Sequence, residues 1–420
     1  MTRASLREHW SLDPAVTFLN HGSFGACPRP VLAVQRAWRD RMEAEPVRFL
    51  DRELEAALDE ARAPLASFLG TSPDQLAFVR NATTATNAVL ASFAPTLGPG
   101  DQILLTDHEY NATLTAARRV ADRVGARVVT APIGLPVRGP DEVVERILAA
   151  VTSRTRLAVI SHVTSPSALV LPVTELVEAL HERGVAVLID GAHAPGMLEL
   201  DLDTIGADWY AGNLHKWVCA PKGSGFLWTS PERIATTRPV VTSHGANDPR
   251  RDRSRYLLEF DWTGTDDPTA WLSVPAALDF LDRLVPGGWP ELRGSMHRLA
   301  VDGRRRLVAA LGTDDLAPDD MLGSMAAVRV PIDARDSVMA LELARGLQDE
   351  DRIEVPIVDF PVRGACAEGG PPAAWLVRIS AAPYTTGADV DRLVAALGRR
   401  LGPQDASGGP GSRSGTRAPR

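Results

Sequence analysis

Short apolar runs alternate with amphipathic stretches along the first half of the chain. Seven runs have the length of strands, and nearly all of their positions are apolar. They are Leu76–Val79, Gln102–Leu105, Arg127–Thr130, Leu157–Ile160, Val185–Ile189, Trp209–Ala211 and Gly225–Trp228. Helical periodicity predicts the intervening helices Thr84–Phe93, Asn111–Val124, Pro140–Ala150 and Val173–Arg183. Strands that are apolar on both faces and alternate with helices indicate an α/β fold with a mainly parallel, seven-stranded sheet.

The pattern changes in the second half, where strands and helices no longer alternate regularly. The stretch Asp266–Leu311 is helix-rich, with Leu272–Leu284 the clearest helix. It is followed by the strand Met325–Val330, the helix Asp336–Gln348, the strands Ile353–Val358 and Trp375–Ile379, and the helix Gly387–Leu401. We expect an N-terminal segment 1–20, a large α/β domain 21–265, a smaller α+β domain 266–401, and a disordered Gly/Ser/Pro/Arg-rich tail 402–420.

Composition narrows the possible partners. The net charge of −8 and the lack of a basic run disfavour binding to nucleic acid or to an anionic membrane. The three cysteines, Cys27, Cys219 and Cys366, form neither a disulfide framework nor a metal-ligand pattern. The start Met1–Trp10 is polar, and no run of 18 apolar residues occurs. We therefore expect a cytoplasmic protein with a small-molecule substrate, no metal, and neither nucleic acid nor membrane as partner.

Lysine is unusually rare in this chain. Only Lys216 and Lys222 occur, against 43 arginines. A coding bias that replaces lysine by arginine on surfaces explains the scarcity, but guanidinium cannot act as a deprotonated amine. The surviving lysines therefore direct attention to residues 213–222.

The segment Val185–Trp228 carries the strongest chemical signal. Asp190 follows a buried strand, at the sheet edge where α/β proteins bind ligands, and Lys216 comes after the next short strand. Alone, Asp190 reads as a turn aspartate and Lys216 as a solvated lysine. Together they match pyridoxal 5′-phosphate, which needs a lysine for a Schiff base and an aspartate beside its pyridinium nitrogen.

Further polar turns follow other predicted strands. Asn81 to Thr84 enter a helix, whose N-terminus favours a phosphate, although an ordinary helix cap has the same pattern. The turn 107–110 offers a ring that could stack on a planar cofactor, and the turn 161–167 offers hydroxyls to a phenolic oxygen. Arg378, on a strand of the second half, could bind a substrate carboxylate, although in a chain with 43 arginines it could equally be a surface arginine at the edge of a strand.

In these stretches the chain resembles the class V aminotransferase family of pyridoxal-phosphate enzymes, within its isopenicillin N epimerase-like branch. The resemblance covers roughly residues 8–400 and implies the fold type I architecture. The stretches that carry it are FLNHGSFGACPRPV (Phe18–Val31), FVRNATTATNAV (Phe78–Val89), TDHEYNA (Thr106–Ala112), SHVTSPSALVLPV (Ser161–Val173), IDGAHAPG (Ile189–Gly196), NLHKW (Asn213–Trp217), WTGTDDPTAWLSVPAAL (Trp262–Leu278) and VRISAAPYTT (Val377–Thr386).

The resemblance implies a role for individual residues. Lys216 is the Schiff-base lysine and proton carrier, and Asp190 pairs with the pyridine nitrogen. The other implied cofactor contacts are His193 and Ser165 near the phenolic oxygen, Ala82, Thr83 and His215 at the phosphate, and either His108 or Tyr110 stacking on the ring. Arg378 would bind the substrate carboxylate, and Asn20 and His21 would line the substrate mouth. Thr265 would reach the phosphate of a neighbouring subunit, which implies a homodimer with shared active sites.

The reaction stays open at this stage. The branch implies chemistry at Cα or Cβ of an amino acid or conjugate: epimerisation, C–S lysis, decarboxylation with possible oxidative deamination, or, less favoured, transamination. Epimerisation needs proton donors on both faces of Cα, and no second lysine or cysteine accompanies Lys216. Cys366 lies twelve residues before Arg378, where a desulfurase would carry its nucleophile, but its surroundings do not match such a loop. A non-catalytic scaffold is disfavoured because Asp190 and Lys216 are both retained.

Overall fold

The computed structural model describes residues 6–362, 365 and 372–402, so Cys366 and nearly all of the predicted tail lie outside the described residues. The strands are β1 (Thr17–Phe18), β2 (Leu76–Val79), β3 (Gln102–Thr106), β4 (Arg127–Ala131), β5 (Thr155–Ser161), β6 (Ala186–Gly191), β7 (Trp209–Asn213), β8 (Gly225–Thr229), β9 (Met325–Val330), β10 (Ile353–Glu354), β11 (Ile357–Phe360) and β12 (Ala374–Ser380). The α-helices are Arg29–Ala44, Pro46–Arg48, Leu54–Leu69, Ala82–Phe93, Asn111–Val124, Pro140–Ala149, Val173–His181, Leu202–Ile205, Pro231–Ile234, Arg255–Phe260, Thr269–Leu272, Val274–Asp282, Gly288–Leu311, Ser337–Arg345 and Gly387–Leu401.

The large sheet contains all seven strands predicted from the first half of the chain. Its order is β2-β8-β7-β6-β5-β3-β4, and β8 alone runs antiparallel to its two neighbours. The other pairings are parallel, so the prediction of a mainly parallel sheet is confirmed. Strand β6 is buried along its whole length, as expected for a central strand covered by helices on both faces.

The second half forms a smaller antiparallel sheet of order β11-β12-β9, against which the helix Gly288–Leu311 packs, and this helix packs in turn against the helix Gly387–Leu401. The N-terminal segment joins this part of the molecule, because β1 pairs in parallel with β10. The chain after β1 is also tied to the end of β12, since Ser380 donates its backbone N–H to the carbonyl of Leu19 at 2.9 Å.

Two predicted elements are interrupted by proline. The predicted helix Leu272–Leu284 breaks at Ser273, because Pro275 has no N–H to donate to the preceding turn. The predicted strand Ile353–Val358 is two strands, β10 and β11, which join different sheets on either side of Pro356. The helices Arg29–Ala44 and Leu54–Leu69 were not predicted.

One edge of the large sheet gathers the polar turns. Strands β2, β3, β5, β6 and β7 run in the same direction, so their carboxyl ends lie together. The loop 19–25 reaches toward this edge, and a Cβ at Gly25 would lie 2.5 Å from the carbonyl oxygen of His215.

In the described part of the chain, no helix has the length and apolar character needed to cross a membrane.

Candidate active site

A cavity of about 250 Å³ opens at this edge of the large sheet. Its lining residues come from the turns that follow five parallel strands and from the loop 19–25. They are Ser23, Phe24, Asn81, Ala82, Thr83, Tyr110, Ser161, Val163, Ser165, Asp190, Ala192, His193, Asn213, His215 and Lys216. Eight of the residues predicted to bind cofactor or to act in catalysis are therefore brought together: Ala82, Thr83, Tyr110, Ser165, Asp190, His193, His215 and Lys216.

Lys216 carries an amine whose pKa lies near neutrality. The side chain is half-buried, and its Nζ lies 3.1 Å from Nε2 of His193. Burial, reinforced by the positive charge of Arg378 and partly opposed by Asp190, lowers the pKa of Lys216 to about 7. An amine with this pKa is available as a nucleophile and as a proton carrier under physiological conditions.

The backbone carbonyl of Lys216 is held by the buried side chain of His21. Nε2 of His21 lies 2.9 Å from the carbonyl oxygen of Lys216, and Nδ1 of His21 lies 2.6 Å from the hydroxyl of Tyr384. A Cβ at Gly25 would lie 2.8 Å from the same carbonyl, so only glycine fits there without a shift. His21 was expected to line the substrate mouth; it is instead fully buried behind the lysine, because both ring nitrogens are engaged there. Asn20 is half-buried and does not line the cavity either.

Asp190 is a buried carboxylate on β6. Its Oδ2 accepts a hydrogen bond from the hydroxyl of Thr113 at 2.9 Å, and its Oδ1 accepts one from the backbone N–H of Ala192 at 3.1 Å. Burial raises the pKa of Asp190 above its ordinary value, against these hydrogen bonds and the charge of Lys216. A buried carboxylate with only neutral hydrogen-bond donors favours a cationic N–H as its partner, such as a pyridinium.

A helix N-terminus forms another part of the lining. The side chain of Asn81 caps the helix Ala82–Phe93 by accepting from the N–H of Thr84 at 2.8 Å, and Asn213 accepts from the N–H of Ala82 at 2.8 Å. Thr83 is exposed between these two caps, and His215 also lines the cavity, with its Nδ1 2.9 Å from the carbonyl oxygen of Ser224. The positive end of the helix dipole makes this part of the cavity suitable for an anion.

Arg378 is a buried cation that has no anionic partner among the described residues. Its side chain contacts the carbonyl oxygen of Ser165 and the hydroxyls of Ser165 and Ser23, at 3.1 and 2.8 Å for the two hydroxyls. No carboxylate among the described residues pairs with it, and its Nε is buried without a hydrogen-bond partner there. Burial lowers the pKa of Arg378 to about 10. An unpaired buried guanidinium is costly, so this position fits the carboxylate of a ligand.

The two candidates for a stacking ring are placed differently. Tyr110 lines the cavity and is 48% exposed. His108 is fully buried outside it, with Nδ1 2.6 Å from the hydroxyl of Ser167 and Nε2 3.0 Å from the carbonyl oxygen of Gly134. Of the two residues expected to stack on the cofactor, Tyr110 lines the cavity, whereas His108 does not and both of its ring nitrogens contact neighbouring loops.

Several lining or supporting residues had no predicted role. Ser23 and Phe24 lay in a stretch quoted for the family resemblance, and Asn213 stands at the end of a strand, so the signal was present but not interpreted. Thr113 lies within a helix and gave no local signal of its contact with Asp190. Thr265 is exposed and does not line the cavity of its own chain.

Comparison with known proteins agrees with this geometry. The family model "Aminotransferase class-V" matches residues 26–300. The chain is 41% identical to the isopenicillin N epimerase of Amycolatopsis lactamdurans, over 94% of this chain and 97% of that protein. It is 32% identical to a probable chloroplastic L-cysteine desulfhydrase of Arabidopsis thaliana, over 92% and 83% of the two chains. The cysteine desulfurase CsdA of Escherichia coli has the same fold, with a TM-score of 0.75, 24% identity and coverage of 96% and 98%.

The fold and the cavity define a pyridoxal-phosphate enzyme of fold type I, with an α/β large sheet and an α+β second half. The chain belongs to the class V aminotransferase family, and its cofactor is pyridoxal 5′-phosphate. Within the family it is isopenicillin N epimerase-like. The residues fit the cofactor, because an amine of lowered pKa, a buried carboxyl group and a helix N-terminus line one cavity.

Proposed function

We propose that Lys216, Asp190 and the helix N-terminus at Ala82–Thr83 hold the cofactor. Lys216 would bind its aldehyde carbon, Asp190 its ring nitrogen, Thr83 and His215 its phosphate, and His193 and Ser165 its phenolic oxygen. Pyridoxal phosphate supplies an electron sink that makes the bonds at an amino-acid Cα breakable. The support is the arrangement of these side chains around a cavity of about 250 Å³.

The substrate we propose is an amino acid or amino-acid conjugate with a free α-carboxylate, and the reaction is inversion at Cα. The observation that carries the proposed substrate is Arg378, which is buried, lacks an anionic partner among the described residues, and is held by two serines that line the cavity; the 41% identity to an isopenicillin N epimerase supports inversion as the reaction. Arg378 would fix the carboxylate while the amine of Lys216 removes or returns the Cα proton. Because an isopenicillin N epimerase is 41% identical to this chain, we propose a role in secondary metabolism, specifically antibiotic biosynthesis.

A C–S lyase reaction on a cysteine conjugate is the second candidate, because a desulfhydrase relative is 32% identical over most of the chain. Such a reaction would need no protein thiol. A desulfurase reaction would need one, and no cysteine lines the cavity in the described part of the chain. Cys27 and Cys219 are buried, and Cys366 lies outside the described residues.

We also propose a cytoplasmic homodimer that shares its active sites. Val240 and Val241 are 56% and 54% exposed beside a second cavity of about 400 Å³, which is also lined by Thr83. Exposed apolar side chains next to the proposed phosphate site are suited to contact with a second copy, and Thr265 would reach the partner's phosphate from there. Dilution to monomers should release cofactor together with activity; a fully active monomer would refute this assembly.

The reaction can be tested directly with the purified holoenzyme. Incubation in D₂O with isopenicillin N, with both epimers of common amino acids and with cysteine S-conjugates is followed by chiral chromatography, mass spectrometry and assays for pyruvate. We expect inversion with uptake of one solvent deuteron at Cα and no pyruvate. Release of pyruvate and a thiol without inversion would instead support the lyase.

A further inference from the structure

Inversion at Cα requires a proton to leave from one face and another to arrive on the opposite face. Lys216 serves one face. His193 stands on the same side, because its Nε2 is 3.1 Å from Nζ of Lys216. Besides these two, the titratable residues that line the cavity among the described residues are Tyr110, Asp190 and His215.

Asp190 and His215 already have other hydrogen-bond partners. Asp190 is held by Thr113 and Ala192. Nδ1 of His215 lies 2.9 Å from the carbonyl oxygen of Ser224, next to the helix N-terminus. Tyr110 is different, because its side chain is 48% exposed and, in the described part of the chain, only its backbone groups make hydrogen bonds. It is therefore the group with a proton free to give.

The sheet topology places Tyr110 and Lys216 on opposite sides of Asp190. Lys216 follows β7, and Tyr110 follows β3, while β6, which carries Asp190, and β5 lie between these two strands. Asp190 is also held from the β3 side, because its partner Thr113 lies three residues after Tyr110. A ring whose nitrogen meets Asp190 would thus have the lysine on one side and the start of the helix Asn111–Val124 on the other.

The positive charge of Arg378 couples Lys216 and Tyr110 electrostatically. Its charge lowers the pKa of Lys216, and Tyr110 in turn raises the pKa of Arg378. The geometry agrees, because Ser23 and Ser165, which hold the Arg378 side chain, line the same cavity as Tyr110 and Lys216. A substrate whose carboxylate is bound at Arg378 would therefore have its Cα in the cavity that both groups line.

We propose that Tyr110 is the acid–base catalyst for the second face of Cα, an inference that rests on the proposed epimerase function. For one epimer the Lys216 amine takes the Cα proton and the Tyr110 hydroxyl delivers its own proton to the opposite face. For the other epimer the roles reverse, with the tyrosinate form of Tyr110 taking the Cα proton and the ammonium form of Lys216 delivering a proton to the opposite face. The tyrosinate and the ammonium left behind are reset by proton exchange with water, so the net reaction consumes nothing.

The test compares Tyr110→Phe with wild type. Phenylalanine keeps the ring and removes only the hydroxyl. We expect inversion to fall by roughly 10²–10⁴-fold, while deuterium exchange without inversion continues for the epimer whose proton Lys216 removes. Absorbance titrations should show unchanged binding of cofactor and of both epimers. Tyr110→His should recover part of the inversion, because imidazole also carries a proton. Tyr256→Phe removes a buried hydroxyl bonded to the carbonyl of Leu227 and serves as the control, with inversion expected to stay normal.

Three results would overturn the role of Tyr110. They are inversion at the wild-type rate in Tyr110→Phe, loss of exchange with both epimers despite normal ligand binding, and a defect in Tyr110→His as deep as in Tyr110→Phe. Failure of the proposed function is recognised separately, because wild type itself would then show no inversion of any substrate.

Discussion

The two sides of the cavity are built differently. On the cofactor side, Asp190, His193 and Lys216 come from one stretch of 27 residues, which runs from the end of β6 through the adjacent strand β7 and the turn that follows it. On the carboxylate side, Ser23, Ser165 and Arg378 are brought together from three distant segments. On the cofactor side, the carboxyl group of Asp190 is accompanied by the amine of Lys216. On the carboxylate side, Arg378 has no anionic partner among the described residues. The difference indicates that cofactor binding and substrate binding can be disrupted independently.

Replacing Lys216 by alanine should have the largest effect. The cofactor loses its covalent attachment and Cα loses a proton carrier, so turnover should fall by roughly 10⁴-fold or more. Borohydride reduction of wild type followed by peptide mapping should label Lys216. Lys222→Ala provides the matched control with near-normal activity, and a label on Lys222 would show that the cofactor side has been assigned to the wrong lysine.

Replacing Asp190 by asparagine should lower the activity while the cofactor stays bound. The amide keeps the shape but removes the counter-charge of the ring nitrogen, so kcat should fall by roughly 10²–10³-fold while cofactor absorbance persists. Asp122→Asn, an exposed position on the helix Asn111–Val124, is the control. Unchanged turnover in Asp190→Asn would mean that this carboxylate only caps the strand.

Replacing Arg378 by lysine should damage the carboxylate side alone. A lysine keeps the positive charge but lacks the planar guanidinium of arginine, which can donate hydrogen bonds to both serines and to a carboxylate at once. KM should therefore rise by roughly 10–100-fold, with cofactor absorbance unchanged. The exposed Arg329 on the neighbouring strand β9 offers the control Arg329→Lys. Normal affinity in Arg378→Lys would mean that the carboxylate is bound elsewhere.

The smallest expected effect is a change in the pH dependence of cofactor uptake, which depends on residues from both sides of the cavity. The pKa of Lys216 is lowered to about 7, so the rate at which apoenzyme takes up cofactor should rise with pH through about 7 and then level off. Asp190 raises this pKa and Arg378 lowers it. The midpoint should therefore move to lower pH in Asp190→Asn and to higher pH in Arg378→Met, as measured by stopped-flow absorbance. Shifts in the same direction would contradict the electrostatic coupling.

Sequence patterns predicted the large sheet well because its information is local. Each strand is a short apolar run, and each run could be assigned without knowing its neighbours. Local patterns failed where a single residue redirects the chain, as Pro356 does by sending β10 and β11 to different sheets. The same limit applies to the site. Asp190 and Lys216 were recognisable because the chain holds few lysines and each residue follows a strand, whereas the contact of Thr113 with Asp190 joins residues 77 positions apart.

The sequence by itself determined the fold class, the family and the cofactor, and it singled out Lys216 and Asp190 as the proposed residues that hold the cofactor, since these inferences depend on periodicity and on residues close together in the chain. Only the tertiary structure decided which polar side chains face the cavity. It buried His21 behind Lys216 and His108 between loops, and it left Tyr110 open to the cavity. It also showed that Arg378 is buried with two serines and no carboxylate among the described residues. Burial and charge pairing arise from packing between distant segments, and no local pattern in the chain encodes them.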